Sequence, residues 1–220
     1  MDNEAAALHR LRRRGWTPSA AIDGGAYRSA WTHIMRSVWP GTPTLMIEAQ
    51  QDLMPNLEAQ ARLLGDNVRA VQGLVAAHPG VAVNFYTPIG EGVGTTGASI
   101  YPEQTPLKLA HSIQTTTTLD TLTEQWGGPP FTLLKLDLQG AERDALMGAA
   151  RTLQTVEVIQ LEVSALPYNF KAPLVAEMLP FLDGLGFVMF DIADLRRLGD
   201  DTLCQFDVLC VRKGHWLLPG

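Results

Sequence analysis

The chain has 220 residues, 46% of them hydrophobic and 18% charged, which is enough apolar side chain for one buried core and unlike a disordered polymer. A formal net charge of −6 argues against a broad phosphate-binding surface. No apolar run approaches the roughly 20 residues that cross a bilayer, and "MDNEAAALHRLRRRGW" lacks the apolar centre of a secretory signal, so a cytoplasmic protein is expected.

The basic cluster "RLRRRG" at 10–15 reads as a solvated helix end, because cations are favoured near a helix C-terminus. "AAID" at 20–23 reads as a short buried strand. Trp31, Ile34, Met35 and Val38 then recur on one face of a 3.6-residue period and predict a helix. "TLMIEA" is the next strand, and Pro55 suits the first turn of a second helix running to Leu64. "VRAVQGLV" and "VAVNFYTP" are two further extended runs. Residues 89–114, rich in Gly, Thr and Pro, read as a loop or lid. "FTLLKLDLQ" is apolar enough for a central strand, "AERDALMGAARTL" has helical spacing, and "VEVIQLEV" follows as a strand. A helix is expected near 172–183, with Pro180 threatening its last turn. "GFVMFDIADL" and "FDVLCVRK" close the chain as a hairpin. Cys204 and Cys210, without a CxxC or a His partner, read as buried thiols. Trp126 and Trp216 are expected to pack on hydrophobic surface, and Trp16 to border a pocket.

This alternation predicts one α/β domain over 1–220, built on a mostly parallel sheet covered on both faces, with an antiparallel strand at or near one edge. In such sheets ligands sit beyond the carboxyl ends of the strands. "DGGAY" occupies the first strand-to-helix turn. Gly24 and Gly25 let the backbone approach a ligand, and Asp23 puts a carboxylate at the mouth, which repels a pyrophosphate but not a cationic or hydroxyl-bearing group. Glu48 ends the second strand, placed to accept hydrogen bonds from both hydroxyls of a ribose. Together they point to an adenosine ligand. "GEGVGTTG" carries G-x-G-x-x-G at Gly92, Gly94 and Gly97, but Pro102 and Pro106 follow where a dinucleotide site needs a helix. A nicotinamide oxidoreductase is a weaker option, because "DGGAY" lacks G-x-G-x-x-G in the first turn.

"IDGGAYRSAWT", "MIEAQ", "TTTTLDTL" and above all "LLKLDLQGAERDALMGA" make the chain resemble the FkbM-type methyltransferases over roughly residues 17–213. The resemblance implies a single Rossmann-like class I domain with a mostly parallel seven-stranded sheet, a C-terminal antiparallel hairpin and S-adenosylmethionine as cofactor. It places the amino-acid part of that cofactor on Asp23, Gly24, Gly25, Ala26 and Tyr27, its ribose on Glu48, and its adenine edge on Gly73 and Leu74, with Asp137 nearest the methyl. Family members generally read D-x-G-A-N-x-G and follow the ribose acid with Pro. Here Tyr27 stands for the Asn, Ser29 for the last Gly and Ala49 for the Pro. These departures motivate a rival reading, a catalytically inactive binding module on the same fold. The chain begins close to the first strand, so no larger N-terminal substrate cap is expected.

The activity implied is methyl transfer to an oxygen of a small molecule such as a sugar, polyketide or carboxylate. A hydroxyl acceptor must lose its proton, to a general base or with help from a bound metal. Asp137 and Glu162 end adjacent strands, where one acts as base or both hold Mg²⁺; the alternative for Asp137 is to cap the following helix or orient the cofactor. Glu142 is assigned to the helix N-terminus. His111 is a further candidate catalytic group, sharing the irregular segment with Ser99 and Tyr101, whereas His33 reads as a surface or packing residue. The expected partner is a small-molecule acceptor, with no nucleic acid, no membrane and a homodimer as the oligomeric option.

Overall fold

A computed structural model describes residues 3–219. Helix α1 (Asn3–Arg13) precedes β1 (Ala21–Gly24), α2 (Ala30–Val38), β2 (Thr44–Glu48), α3 (Met54–Leu64) and β3 (Val68–Gln72). A two-residue β4 (Leu74–Val75) leads into the long strands β5 (Ala82–Ile89) and β6 (Lys108–Thr117), and α4 (Leu119–Thr123) returns the chain to β7 (Leu133–Leu136). Then come α5 (Glu142–Met147), β8 (Val158–Ser164), α6 (Val175–Gly184), β9 (Phe187–Arg197) and β10 (Leu203–Arg212).

Seven strands form one sheet in the order β3-β2-β1-β7-β8-β10-β9. The first five pair in parallel, and β10 runs antiparallel to both β8 and β9. This is the mostly parallel seven-stranded α/β sheet that the sequence implies, with its terminal hairpin folded back so that β10 lies inside the edge strand β9. A second sheet, β4-β6-β5, corrects the expectation for 89–114. Lys108–Thr117 pairs residue by residue with Ala82–Ile89, so the irregular segment is confined to 90–107. The exposed alternation of β6 has no apolar stripe to announce it, and only pairing with β5 makes it a strand.

Side chains alternate between the two faces of each strand. Ile22, Leu134, Leu136, Ile159, Leu161, Val208 and Cys210 build the core on one face, with α5 residues Ala145 and Leu146 and α6 residues Met178 and Leu182. Ala21, Leu133, Val158, Leu209 and Val211 face the other way, against Leu8 and Leu11 of α1 and Trp31 and Met35 of α2. Two residues further toward the cavity end, the same face turns polar: Asp23, Lys135, Gln160 and Asp207, then Asp137, Glu162 and Gln205. The change from apolar to polar along one face marks where the core ends and the site begins.

The basic cluster does end a helix, but it is not merely solvated. Arg10 Nε lies 2.5 Å from Asp191 Oδ2 on β9, and Arg12 and Arg14 donate to the carbonyls of Val38 and Leu217, stapling α1 across the fold. The helix expected from "AERDALMGAARTL" is only six residues long, followed by Gly148, where a Cβ would stand 2.3 Å from Ala76 O. α6 runs through Pro180 to Gly184, so the proline does not end it. Trp16 is buried, donating to Glu157 Oε2 at 2.7 Å and meeting Trp39 edge-on, away from the cavity at the strand ends. Trp126 packs on Phe131, whereas Trp216 is 58% exposed. Both cysteines are buried and free.

Tyr27 and Ser29, the two departures in the first turn, have φ of 47° and 67°. This left-handed region costs a residue with a Cβ about 1–2 kcal/mol, which Asn or Gly largely avoids. Ser29→Gly is therefore expected to stabilise the fold by about 0.5–1 kcal/mol, after the added chain entropy of glycine is subtracted. Urea unfolding measures it; an unchanged or lowered midpoint would contradict the strain.

Candidate active site

From β1 the chain moves outward to β2 and β3, then returns to β7 on the other side of β1. Such a reversal opens a crevice at the strand ends. A cavity of about 230 Å³ lies there, and among its walls are Gly25, Ala26, Tyr27, Glu48, Gly73, Leu74 and Asp137, seven of the residues singled out in the sequence. Thr96, Ala98, Ser99 and Ile100 of the 90–107 segment also line it, as do Trp31 of α2 and Glu4 of α1.

The corner after β1 is built by close approach. Gly25 has φ 73°, and a Cβ on it would stand 1.9 Å from the carbonyl oxygen of Asp137. The Gly25 and Ala26 amides both donate to Ile47 O at 3.0 Å, tying the corner to β2. Glu48 closes it from above: Oε2 accepts from Tyr27 N at 2.9 Å and Oε1 from Gln50 N at 2.8 Å. Burial raises the pKa of this carboxyl, and those two amides oppose the rise.

Asp23 is not at the mouth. It is fully buried, absent from the cavity wall, accepts from Thr32 Oγ1 at 2.6 Å and lies 3.1 Å from Lys135 Nζ. Asp23 and Lys135 are register partners on β1 and β7, and a buried ammonium demands a counterion before any ligand does. Asp23 raises the Lys135 pKa against the opposing effect of burial. Gly24 does not line the cavity either; the space of its missing side chain is taken by Leu136, 2.8 Å from the Cβ position.

Asp137 and Glu162 do come together, through a residue that the sequence reading passed over. Gln139, held at φ 53°, donates from Nε2 to Asp137 Oδ1 at 2.6 Å and to Glu162 Oε1 at 3.2 Å. Gln205 Nε2 donates to the same Glu162 oxygen at 2.6 Å, and Arg196 Nη1 donates to Gln205 Oε1. Asp137 lines the cavity; Glu162 lies one layer behind Gln139. Burial, then the charges of Asp137, Glu142 and Asp207, push the Glu162 pKa well above the usual carboxylate range, with Arg196 opposing. Asp207 is pushed up to about 6 by burial and by Asp137. Glu142 takes the amides of Leu138 and Gly140 at 2.6 and 3.3 Å, the role at the helix start assigned to it, and burial pushes it up to about 8. Among the described residues no three His, Cys, Asp or Glu side chains gather as ligands for one metal ion. The signal for Lys135 and Gln139 was in plain view, since both belong to the "KLDLQG" stretch; their partners, Asp23 and Glu162, were not.

His111 falls outside the site. It is exposed on β6 opposite Tyr86, because its segment is a strand of the second sheet. Ser99 and Tyr101 do approach: Ser99 Oγ donates to Leu138 O at 3.0 Å and Tyr101 OH to Asp144 Oδ2 at 2.8 Å. With Gln50 Nε2 donating to Thr95 O, they moor the 90–107 segment over the cavity. His33 is exposed and meets Gln60.

Residues 23–189 match the family model described as methyltransferase FkbM domain. No curated protein matches by sequence. Among solved structures, EvdMO1 superposes with a TM-score of 0.56 at 14% identity, covering 96% of this chain and 41% of that one; the chain thus spans less than half of EvdMO1. The N-terminal domain of EvdMO1, in the presence of SAH and D-fucose, matches with a TM-score of 0.55 and 14% identity over 97% of this chain and 84% of that domain. A precorrin-6y C5,15-methyltransferase from Geobacter metallireducens GS-15 matches with 0.52 and 11% identity over 94% and 87%. At these identities the likeness shows the fold.

Two outcomes follow from the buried charges. Asp23→Asn, which strands the Lys135 ammonium, is expected to cost about 3–5 kcal/mol, and combining it with Lys135→Met to recover much of that loss; urea unfolding reads both, and a near-neutral single variant would show that the pair does not hold the seam. Glu142, with its folded pKa raised to about 8, contributes stability that is complete below its unfolded pKa and is lost as pH rises through 8. Glu142→Gln keeps the acceptor oxygen and is expected to flatten that decline, measured as unfolding free energy between pH 5 and 8.5.

Proposed function

Because the chain belongs to the FkbM methyltransferase family, we propose that it methylates an oxygen of a small hydroxyl-bearing molecule, with S-adenosylmethionine held in the crevice between β1 and β7. The observation that carries this reading is that Glu48, the Gly25–Ala26 backbone and Asp137 face one cavity. The lining suits the cofactor. Glu48 offers two oxygens to the ribose hydroxyls, Gly73 and Leu74 an edge to adenine, and Gly25 and Ala26 a side-chain-poor floor to the methionine part. Tyr27 N still donates to Glu48 despite the Tyr27 and Ser29 departures, which supports the active reading over an inactive binding module.

S-adenosylmethionine supplies a methyl group already activated on a sulfonium. What remains to the protein is alignment and proton removal, and alignment alone is worth several powers of ten. Asp137, at the cavity wall, accepts the hydrogen bond of the acceptor hydroxyl. Asp137 takes the hydroxyl proton, and the Gln139 amide, donating to both Asp137 and Glu162, holds the two carboxylates in place. The 90–107 segment, moored at Thr95, Ser99 and Tyr101, keeps water from the reacting face. A sugar hydroxyl is favoured as acceptor by the fold neighbour studied with SAH and D-fucose.

Calorimetry with S-adenosylhomocysteine tests the cofactor site: Glu48→Ala is expected to weaken binding at least tenfold, and equal affinity would remove the assignment. For the chemistry, Asp137→Asn and Glu162→Gln are expected to lower kcat by about 10²–10⁴. In the unaltered enzyme kcat should rise with pH through an ionisation above the ordinary carboxylate range. The Glu162→Gln enzyme is expected to lose that limb; its persistence would exclude Glu162 as the titrating group that acts on Asp137 through Gln139.

A further inference from the structure

The two departures in the first turn, Tyr27 and Ser29, hold the residue between them. The Arg28 guanidinium lies over the Tyr27 ring, with Cζ 5.2 Å from its centroid, and Ser29 Oγ donates to Arg28 O at 2.5 Å. Tyr27 stands at φ 47°. Its hydroxyl lies 3.7 Å from where a Cβ on Gly94 would stand, so the ring spans from the corner to the 90–107 segment. Tyr27 and Arg28 both line the cavity, and the charged residues of its wall are Glu4, Arg28, Glu48, Lys135 and Asp137. Lys135 is committed to Asp23 at 3.1 Å. Among the described residues the Arg28 guanidinium makes no ion pair and no hydrogen bond, and the Tyr27 ring is what holds it. The first turn thus presents a braced but unanswered positive charge to a wall that is otherwise acidic.

We infer that Arg28, braced by Tyr27, receives the carboxylate at the amino-acid end of the cofactor. S-adenosylmethionine carries one negative group, and a carboxylate taken out of water without a counter-charge is costly. Glu48 and Asp137 repel it, whereas a guanidinium meets it with paired N–H donors. Arg28 follows directly on Gly25, Ala26 and Tyr27, the stretch that carries the methionine part in the methyl-transfer reading. The aromatic face restrains a side chain that otherwise samples many rotamers, so less freedom is lost when the carboxylate arrives. Tyr27 therefore has a use that Asn does not supply: Asn relieves the left-handed backbone but offers no ring. The strained turn and the unpaired cation are two aspects of one carboxylate-binding corner.

This inference rests on the methyl-transfer reading, and the test separates the two. The full chain is titrated calorimetrically with S-adenosylhomocysteine and with its decarboxylated analogue, which lacks only the carboxylate. Arg28 is exposed, so replacing it leaves the core intact. Arg28→Met is expected to weaken S-adenosylhomocysteine about tenfold or more and to leave the analogue within about twofold. Arg28→Lys should fall between, since an ammonium keeps the charge but not the fork. Tyr27→Asn is expected to weaken S-adenosylhomocysteine alone, by about threefold, while its urea midpoint stays level or rises; a merely structural role would lower stability and affinity together. Equal weakening of both ligands, or undiminished affinity for S-adenosylhomocysteine in Arg28→Met, overturns the role of Arg28 and leaves the cofactor site standing. Unchanged affinity in Tyr27→Asn overturns the bracing by its ring. Failure of S-adenosylhomocysteine to bind the unaltered chain overturns the methyl-transfer reading as well.

Discussion

The site depends on one buried ion pair. Lys135 points from the central strand β7 into a region with almost no solvent, and Asp23 on the neighbouring strand answers its charge at 3.1 Å. The same ammonium donates to Gly25 O at 3.1 Å, so it holds the corner's carbonyl from the β7 side while Ile47 O holds the corner's amides from the β2 side. The first turn is thereby clamped between two strands. Gly25 is pressed so closely against the Asp137 carbonyl that no side chain fits there, and the positive φ at Tyr27 and Ser29 is tolerated because the surrounding bonds overdetermine the path.

From that seam a polar layer extends across the sheet. Asp137 and Glu162 share the Gln139 amide, Gln205 supports Glu162 from behind, and Arg196 supports Gln205. The Asp137 charge adds to burial in raising the proton affinities of Glu162, Asp207 and Glu142, which lie where water screens poorly. Acidic groups thus accumulate on the β8 side of β7, whereas on the β2 side Glu48 is enclosed by backbone amides. The two ends of the crevice differ in kind: one is shaped by main-chain donors, the other by side-chain carboxylates and amides.

The covering elements come from distant parts of the chain. The 90–107 segment is moored to β2, β7 and α5 through Gln50, Leu138 and Asp144. Asn169, after β8, donates to Tyr101 O, fastening the roof from the other side. Helix α1 reaches the same space through Glu4, its own position set by Arg10 on β9 and by Leu8 and Leu11 in the core.

Sequence alone determined the sheet class and most of the helices and strands, because these depend on local periodicity; position at strand ends marked Gly25, Glu48 and Asp137, and the resemblance to the FkbM family added Ala26, Tyr27, Gly73 and Leu74, all of which line the cavity. It could not determine that Asp23 faces inward, that β6 is a strand or that His111 is remote, since each follows from a partner far along the chain: Lys135, β5 and the second sheet. Tertiary structure also decided the surroundings of Glu162 and Glu4. Their neighbours Gln139, Gln205 and Gln160 are ordinary amides in sequence, and only strand register brings their hydrogen-bonding ends to the carboxylates they hold.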